Sequence, residues 1–364
     1  MTSVALLIHG GPNSIEAIRA RGLAQNHPPD RVHFLYREEP RGETARLWKR
    51  RLADLRPDLL YVVNTALPGA WLAPWLRLTK GIPYILDTGD AVFAMAQSAG
   101  HVPAWRLPLL KLGESFAHQH AEVIVVRGTR HLEHLQARGA RNVLLIRDGV
   151  DLNRPAPAET VEALRRKLGL ENSFVVGVMG SLTFSPRLGI CYGWDLVEAM
   201  PSLKDLPIRA VIIGDGDGRP RLERRAAELG VADRVTFCGR IPYDEVPVYL
   251  RLLDVALSTQ TNNLAGQVRT TGKLPEYMAA GCFILASRVG EAEILLPPSM
   301  LLDYSGDVDP FYPQRLADRL RHLHTHPADL APRESLPALA EKHCSYPALS
   351  RLFDRIIQTA ANLP

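Results

Sequence analysis

The chain has 364 residues, 46% hydrophobic and 23% charged, which suits two domains of ordinary size and leaves no room for long disorder. A formal net charge of +4 is too mild to mark a nucleic-acid binder, so no nucleic acid is expected as a partner. The same charge favours anionic ligands and permits loose peripheral contact with an acidic membrane surface.

Val4 to Ile8 is a short apolar run that reads as a buried parallel strand, closed by His9-Gly10-Gly11-Pro12. Ser14 is placed to cap the helix that follows. Strand, glycine turn and helix open a dinucleotide-type α/β unit, and Gly10 and Gly11 let backbone approach a ligand closely because no Cβ intervenes. A bare Gly-Gly is a weak signal, and it is not GxGxxG. Further strands are predicted at Val32 to Tyr36, Leu59 to Val63, Tyr84 to Asp87 and Val123 to Val126, with helical segments between most of them. That alternation predicts a parallel sheet covered by helices on both faces. The break at Gly10-Gly11 argues against a signal peptide, and no run approaches the ~18 apolar residues of a membrane-spanning helix.

Ligands of such sheets sit beyond the carboxyl ends of the strands. In the first half this singles out His9-Gly10-Gly11, Asn64-Thr65 and Asp87-Thr88-Gly89-Asp90. Asp90 is the acid best placed to orient a hydroxyl acceptor, with capping of the next helix as the plain alternative. The segment Trp71 to Lys80 mixes aromatics with cations; packing of a helix on the sheet is favoured over a membrane or lipid contact. His131 and His134 lie one helical turn apart without a third ligand, and are read as surface.

Arg147 to Asp151 followed by Pro155 and Pro157 reads as a linker, because prolines forbid regular structure there. Beyond it the pattern restarts. Val175 to Met179 ends at Gly180-Ser181 and Ala210 to Ile213 at Gly214-Asp215-Gly216; Val235 to Phe237, Val255 to Leu257 and Phe283 to Ala286 complete a second set of strands. Arg269 to Gly290 is the most informative stretch. A polar loop with Arg269, Thr270, Thr271 and Gly272 runs into a short helix, with either threonine able to cap it and Gly281 to stop it. Lys273 and Glu276 are three residues apart, hence on nearly one face of the first turn. Helix N–H groups, a hydroxyl, an arginine and a lysine suit a diphosphate, and a carboxylate one turn on suits a vicinal diol. Together they describe a nucleotide; a capped helix with solvated charges is the alternative.

His322, His324 and His326 alternate beside Pro327 and read as a solvated turn rather than a metal site. The cysteines Cys191, Cys238, Cys282 and Cys344 have no CxxC spacing and suit buried thiols in a reducing cytoplasm. There is no GxSxG, HExxH or Walker lysine. Leu349, Leu352, Phe353, Ile356 and Ile357 recur at helical spacing, an amphipathic helix that must bury its stripe somewhere.

These motifs make a series: HGG at 9–11, GVD at 149–151, VVGVMGSL at 175–182, GWDLVEAM at 193–200, the stretches 211–231 and 234–258, and KLPEYMAAG at 273–281. The chain resembles the family-four retaining glycosyltransferases, closely in its second half and by layout in its first. The resemblance implies the GT-B fold: an α/β protein with two Rossmann-like domains across a cleft, 1–152 on the acceptor side and 153–343 binding the nucleotide sugar. Residues 344–364 would form a helix that crosses back to the first domain. It implies a retaining, metal-independent transfer from a nucleotide-diphosphate sugar, UDP- or GDP-linked, to a hydroxyl acceptor of a polysaccharide, glycolipid or natural product. No cofactor or metal is expected, and the setting is cytoplasmic, with the inner membrane face as a permitted location.

By resemblance, Glu276 holds the ribose hydroxyls, while Thr270, Thr271 and Lys273 meet the diphosphate, with Gly10 and Gly11 facing it from the other domain. Gly180 and Ser181 stand in the donor loop, and the backbone at Ile241 meets the nucleobase. The chain departs from the family at Val268, where a glutamate usually contacts the sugar, and at Ser181 and Tyr192, where an arginine and a lysine usually stand. Gly89 replaces a histidine. Charge building on the departing diphosphate must then be met by other cations, with Arg187, Arg269 and Lys273 as candidates beside Asp90. Two rivals remain: a non-catalytic nucleotide-sugar-binding scaffold, and an epimerase or hydrolase using His9, Asp90 and Glu291.

Overall fold

The computed structural model describes residues 2–37 and 41–361. Among the described residues, twelve strands form two six-stranded, wholly parallel sheets. The first contains β1 (Val4–Ile8), β2 (Val32–Tyr36), β3 (Leu59–Val63), β4 (Tyr84–Thr88), β5 (Val123–Val126) and β6 (Val143–Leu145), in the order β2-β1-β3-β4-β5-β6. The second contains β7 (Phe174–Met179), β8 (Ile208–Ile213), β9 (Val235–Gly239), β10 (Val255–Ser258), β11 (Phe283–Ser287) and β12 (Leu301–Leu302), in the order β12-β11-β10-β7-β8-β9. Strands β1, β3, β4, β5, β10 and β11 are buried along their whole length, which is why they read as unbroken apolar runs rather than alternating ones.

In the first half the helices are α1 (Ile15–Ala24), α2 (Arg41–Leu55), α3 (Gly69–Lys80), α4 (Val92–Ala99), α5 (Leu107–Gln119) and α6 (Thr129–Ala137). Ser14 caps α1, its hydroxyl accepting from the Ala17 amide at 3.2 Å. One face of the first sheet packs on α2, α3 and α5 through Trp48, Leu52, Ala70, Ala73, Leu76 and Ala117. The other face packs on α1 and on the last helix, Tyr346–Ala361. There Leu349, Phe353, Ile356 and Ile357 are buried, and Phe353 meets the Tyr61 ring at 5.1 Å. Burying each such side chain is worth about 1.5–3 kcal/mol, so the stripe alone is ample reason for the chain to return to the first sheet.

The chain passes between the two sheets twice, and the passages bond to each other. Val150 N donates to Cys344 O at 2.9 Å, forming an isolated parallel bridge between Val150 and Ser345. Tyr346 fills the notch beside them: a Cβ on either Gly22 or Gly149 would come within 2.2 Å of its ring. The carboxyl ends of the two sheets face one another. Thr270 N donates to Gly89 O at 3.3 Å, and Asn263 Nδ2 donates to Ser98 Oγ at 3.1 Å.

Candidate active site between the two sheets

The helix Lys273–Ala279 is anchored by Leu274, Tyr277 and Met278, which face the second core, and it stops where Gly281 takes φ 68°. Its start differs from the sequence reading. Gly272 occupies the N-cap, and neither Thr270 nor Thr271 caps it through a side chain. Tyr277 fixes the helix to the end of β7, its hydroxyl accepting from Met179 N at 2.7 Å. That anchor lays Lys273 alongside Gly180, where a Cβ would stand 3.2 Å from the ammonium nitrogen.

Lys273 is only 7% exposed, and its Nζ has no hydrogen-bond partner among the described residues. The ammonium lies 3.3 Å from the centroid of the Tyr192 ring, and the Arg269 guanidinium carbon lies 5.7 Å from the same ring. Cation–π attraction offsets part of the desolvation but cancels no charge. Burial pushes the Lys273 amine down to about 8, with Arg269 adding to the fall and Tyr192 opposing it. Burial would raise the Tyr192 phenol, yet Arg269 and Lys273 hold it below its ordinary value. The Tyr192 hydroxyl accepts from Gln260 Nε2 at 2.8 Å, which fixes the ring. Asp90 Oδ1 is 3.6 Å from Arg269 Nε, an ion pair too long for a hydrogen bond. Asp90 Oδ1 and Thr270 Oγ1 are also buried without hydrogen bonds. Asp90 does not cap α4; the Glu114 carboxylate does so, accepting from Val92 N at 2.7 Å and Phe93 N at 3.1 Å. Unsatisfied buried groups are costly: an anion would relieve the Lys273 ammonium and the Thr270 hydroxyl, whereas the Asp90 oxygen calls for a donor such as a hydroxyl.

Glu276 is likewise 7% exposed, but each of its carboxylate oxygens has one partner. One carboxylate oxygen pairs with Arg154 Nη2, and the other accepts from the Tyr243 hydroxyl at 3.0 Å. Arg154 also donates to Tyr243 O at 3.0 Å and lies 4.0 Å over the Tyr243 ring. Burial raises the Glu276 carboxyl, opposed by Arg154. Neither Arg154 nor Tyr243 stands out in the sequence, since the first lies in the proline-rich linker.

The other sequence candidates fall in three places. Ser181 and Arg269 line a cavity of 370 Å³ beneath Tyr192, closed on the first-domain side by Met95, Ser98 and His101. Gly10 packs on Ser14, Gly11 borders open space, and Ile241 packs against the second core. Arg187 is not brought to Lys273. Its guanidinium donates to Gln97 O at 2.9 Å and to Asp307 Oδ2 at 3.2 Å, because the loop after Ser181 swings toward the end of α4. Val268, which stands where the resemblance implies a sugar-contacting glutamate, is buried and apolar.

Two further readings change. His131 is fully buried rather than superficial, on the inward face of α6 with Leu135, and burial pushes its imidazole down to about 3. Glu291 ties the two halves together instead of facing the cleft. Its carboxylate accepts from Thr129 N at 2.6 Å, at the start of α6, and pairs with Arg147 Nε at 2.6 Å. His322, His324 and His326 diverge: His322 bonds Asp329 at 2.6 Å and stacks on His326, while His324 meets Phe174. Among the described residues no three metal-ligating side chains converge, and no helix is long and apolar enough to cross a membrane.

Comparison with known proteins follows the same lines. Residues 173–325 match the family described as Glycosyl transferases group 1. The chain is 31% identical over 220 residues to a 2-deoxystreptamine glucosyltransferase of Streptomyces kanamyceticus, covering 58% of this chain and 54% of that protein. It is 32% identical over 218 residues to a GDP-mannose-dependent alpha-(1-6)-phosphatidylinositol monomannoside mannosyltransferase of Mycolicibacterium smegmatis, covering 57% and 54%. The chain thus spans about half the length of these curated relatives. HepE of Anabaena, solved with UDP-glucose, superposes with a TM-score of 0.80 at 17% identity over 99% of this chain and 100% of that one. Sucrose-phosphate synthase from Thermosynechococcus elongatus gives 0.77 at 18%, covering 99% of each chain. At such identities the likeness is one of fold: two Rossmann-like domains across a cleft, the GT-B arrangement expected from the sequence.

Proposed function

We propose that the chain, whose residues 173–325 match the family Glycosyl transferases group 1, moves a sugar from a nucleoside-diphosphate sugar to a hydroxyl acceptor. The observation that carries the reading is Lys273: a buried ammonium with no hydrogen-bond partner among the described residues, beside Gly180 and flanked by Arg269 around one aromatic ring. The donor's diphosphate takes the place of the missing counter-ion. UDP and GDP are the nucleotides we favour, since the names of relatives and neighbours carry both GDP-mannose and UDP-glucose.

Breaking the bond from the anomeric carbon to the phosphate oxygen leaves negative charge on the diphosphate. Lys273 and Arg269 meet that charge as it forms, in the role that the resemblance gives to the arginine and lysine replaced by Ser181 and Tyr192. A retaining course is proposed, in which the departing phosphate oxygen takes the acceptor's proton on the same face of the sugar. Asp90 then orients the acceptor hydroxyl and need not act as a strong base. Glu276 keeps spare lone pairs after bonding Arg154 and Tyr243, and these accept from the ribose diol. With two cations at the leaving group, no metal is invoked. We place the reaction in the cytoplasm, with the acceptor a polysaccharide, glycolipid or natural product.

The test is nucleoside-diphosphate release from a panel of UDP- and GDP-sugars, with thermal shift read in parallel. Release from at least one donor, largely lost in Lys273→Met, is the expected result. Stabilisation by a donor without any release would instead favour a binding scaffold, the second reading that the Arg154 grip on Glu276 supports. An epimerase or hydrolase is disfavoured because Glu291 is held by Thr129 and Arg147.

A further inference from the structure

Helix α3 carries two stripes. Ala70, Ala73 and Leu76 are buried on the sheet, while Trp71, Trp75 and Leu78, with Leu67 in the turn just before the helix, point outward. Their exposures are 54%, 49%, 39% and 60%. Helix α5 and the turn before it continue the same surface with Trp105, Leu109 and Leu112, exposed by 67%, 60% and 65%. The two helices are joined face to face: the Trp71 ring lies 5.7 Å from Phe116, and a Cβ on Gly113 would meet it at 3.1 Å. Exposed tryptophans and leucines scattered singly need no explanation, whereas seven on one face mark an interaction surface.

The charges around it select the partner. Lys49 Nζ lies 4.4 Å from the Trp75 ring centroid, the Arg106 guanidinium 4.6 Å from Trp105, and Lys111 Nζ 5.5 Å from Phe93. Between residues 67 and 120 the only acids are Asp87, Asp90 and Glu114. Asp87 is buried in the first core, Asp90 faces the cleft, and Glu114 is spent on the start of α4. Glu122 just beyond is paired with Arg77 at 2.6 Å. Tryptophan and leucine rimmed by lysine and arginine, with no free carboxylate in that span, fits the headgroup layer of an anionic bilayer. A second copy fits less well, because a two-fold contact of this face would set one basic rim against another.

We propose that the outer face of α3 and α5 docks this protein on an anionic lipid bilayer. The consequence for function rests on the transferase reading above. Ser98, Ala99 and His101 line the cavity beside Tyr192, and at most about 14 Å of chain leads from His101 to Trp105 on the docked face. A hydroxyl acceptor anchored in the bilayer could enter there without leaving the membrane.

Docking itself is measured without catalysis, by sedimenting the full chain with vesicles of phosphatidylcholine alone or of phosphatidylcholine with phosphatidylglycerol. Binding is expected only to the second kind, and it should weaken as salt rises. Replacing Lys49, Arg106 and Lys111 together by Gln should weaken it on the order of 100-fold. Trp75→Ser with Trp105→Ser should abolish it, while the chain stays folded and keeps its thermal shift with UDP or GDP. Equal binding to both vesicle types, no binding to either, or undiminished binding of the variants overturns the proposal. So does a wild-type dimer in light scattering that the Trp75→Ser, Trp105→Ser variant turns into a monomer. Vesicle binding by a chain that turns over no donor would leave this inference standing and count against the transferase reading alone.

Discussion

Two clusters of buried charge sit on opposite sides of the cleft, and they differ in one respect. In the first domain Asp87 is completely enclosed and accepts from Arg19 Nε at 2.7 Å, Arg127 Nε at 2.9 Å and the Tyr61 hydroxyl at 2.8 Å. The rest of the Arg19 guanidinium donates to Ile146 O and Arg147 O at the start of the linker. Arg127 reaches Asn64 as well, so the cluster closes on itself. Burial alone would raise the Asp87 carboxyl, yet Arg127 and Arg19 hold it below its usual range. In the second domain Lys273 and Arg269 share an aromatic ring, and the lysine has no hydrogen-bond partner at all among the described residues. A satisfied cluster specifies a fold; an unsatisfied one is waiting for a ligand.

The largest effect should come from breaking the closed cluster. Asp87→Ala takes from two buried guanidiniums their enclosed counter-ion, leaving them the carbonyls, Asn64 and the more distant Asp148, and breaking such a buried pair costs about 3–5 kcal/mol. Urea unfolding should show that loss in the transition of the first domain, and a variant as stable as wild type would deny the cluster its structural role. The open cluster should answer in the opposite sense. Lys273 falls from 10.5 to about 8 on folding, and at 1.36 kcal/mol per unit its buried charge costs roughly 3 kcal/mol. Lys273→Met should therefore raise the melting temperature of the ligand-free chain while lowering kcat about 100- to 1,000-fold. Donor affinity should fall much less, since the charge matters most as the leaving group forms. Equal losses in kcat and affinity would mean that Lys273 only binds.

A smaller, sharper difference lies in pH dependence. The protonated lysine is the working form, so kcat/KM should decline above about pH 8, where free Lys273 titrates. Bound diphosphate favours the charged form, which moves the corresponding limb of kcat to higher pH. Lys273→Arg should remove both limbs. Stability runs the other way: between about pH 8 and 10.5 the unfolded chain holds more protons on this residue than the folded one, so this residue's contribution to stability rises with pH across that window. Asp87 and its arginines do not titrate in that range; of the closed cluster only Tyr61 answers, near the upper edge and in the opposite sense, because burial raises its folded phenol above the unfolded value of about 10.

The sequence exposes these sites unequally. Strands β1, β3 and β5 are legible because burial on both faces leaves unbroken apolar runs bounded by turn residues. Strands β6 and β12 are not: the first has three residues with Leu144 40% exposed, and the second has two, too short for any period to show. Lys273 and Glu276 could be paired because one helical turn fixes their spacing. Arg154 could not, since it lies in a proline-rich linker and meets a partner 122 residues away. Arg187 illustrates the opposite error. Its nearness to Gly180 in sequence suggested a shared site, but the intervening loop carries it to Gln97 and Asp307. His131 looked superficial beside polar neighbours, although its spacing from Leu135 marks the buried face of α6. Local periodicity survives in the sequence; contacts made across the cleft leave almost no trace in it.

Glu291 offers a third kind of buried charge, fully partnered but across the gap between the domains, and so the smallest expected effect. Its carboxylate meets the first amide of α6, where helix polarity favours an anion, and it pairs with Arg147 in the linker. Glu291→Gln keeps the shape and one acceptor but removes the charge, which should cost about 1–2 kcal/mol. If the bond merely props up α6, the whole loss should appear as local exchange of the α6 amides, with transfer rates unaltered. If it holds the two halves in register, donor affinity should be kept, because Lys273, Arg269 and Glu276 all lie on one side of the cleft. Transfer to an acceptor should then slow several-fold, because Asp90 lies on the other. Measuring donor hydrolysis and acceptor transfer on one preparation separates these cases, since hydrolysis needs only water where transfer needs both walls of the cleft in place.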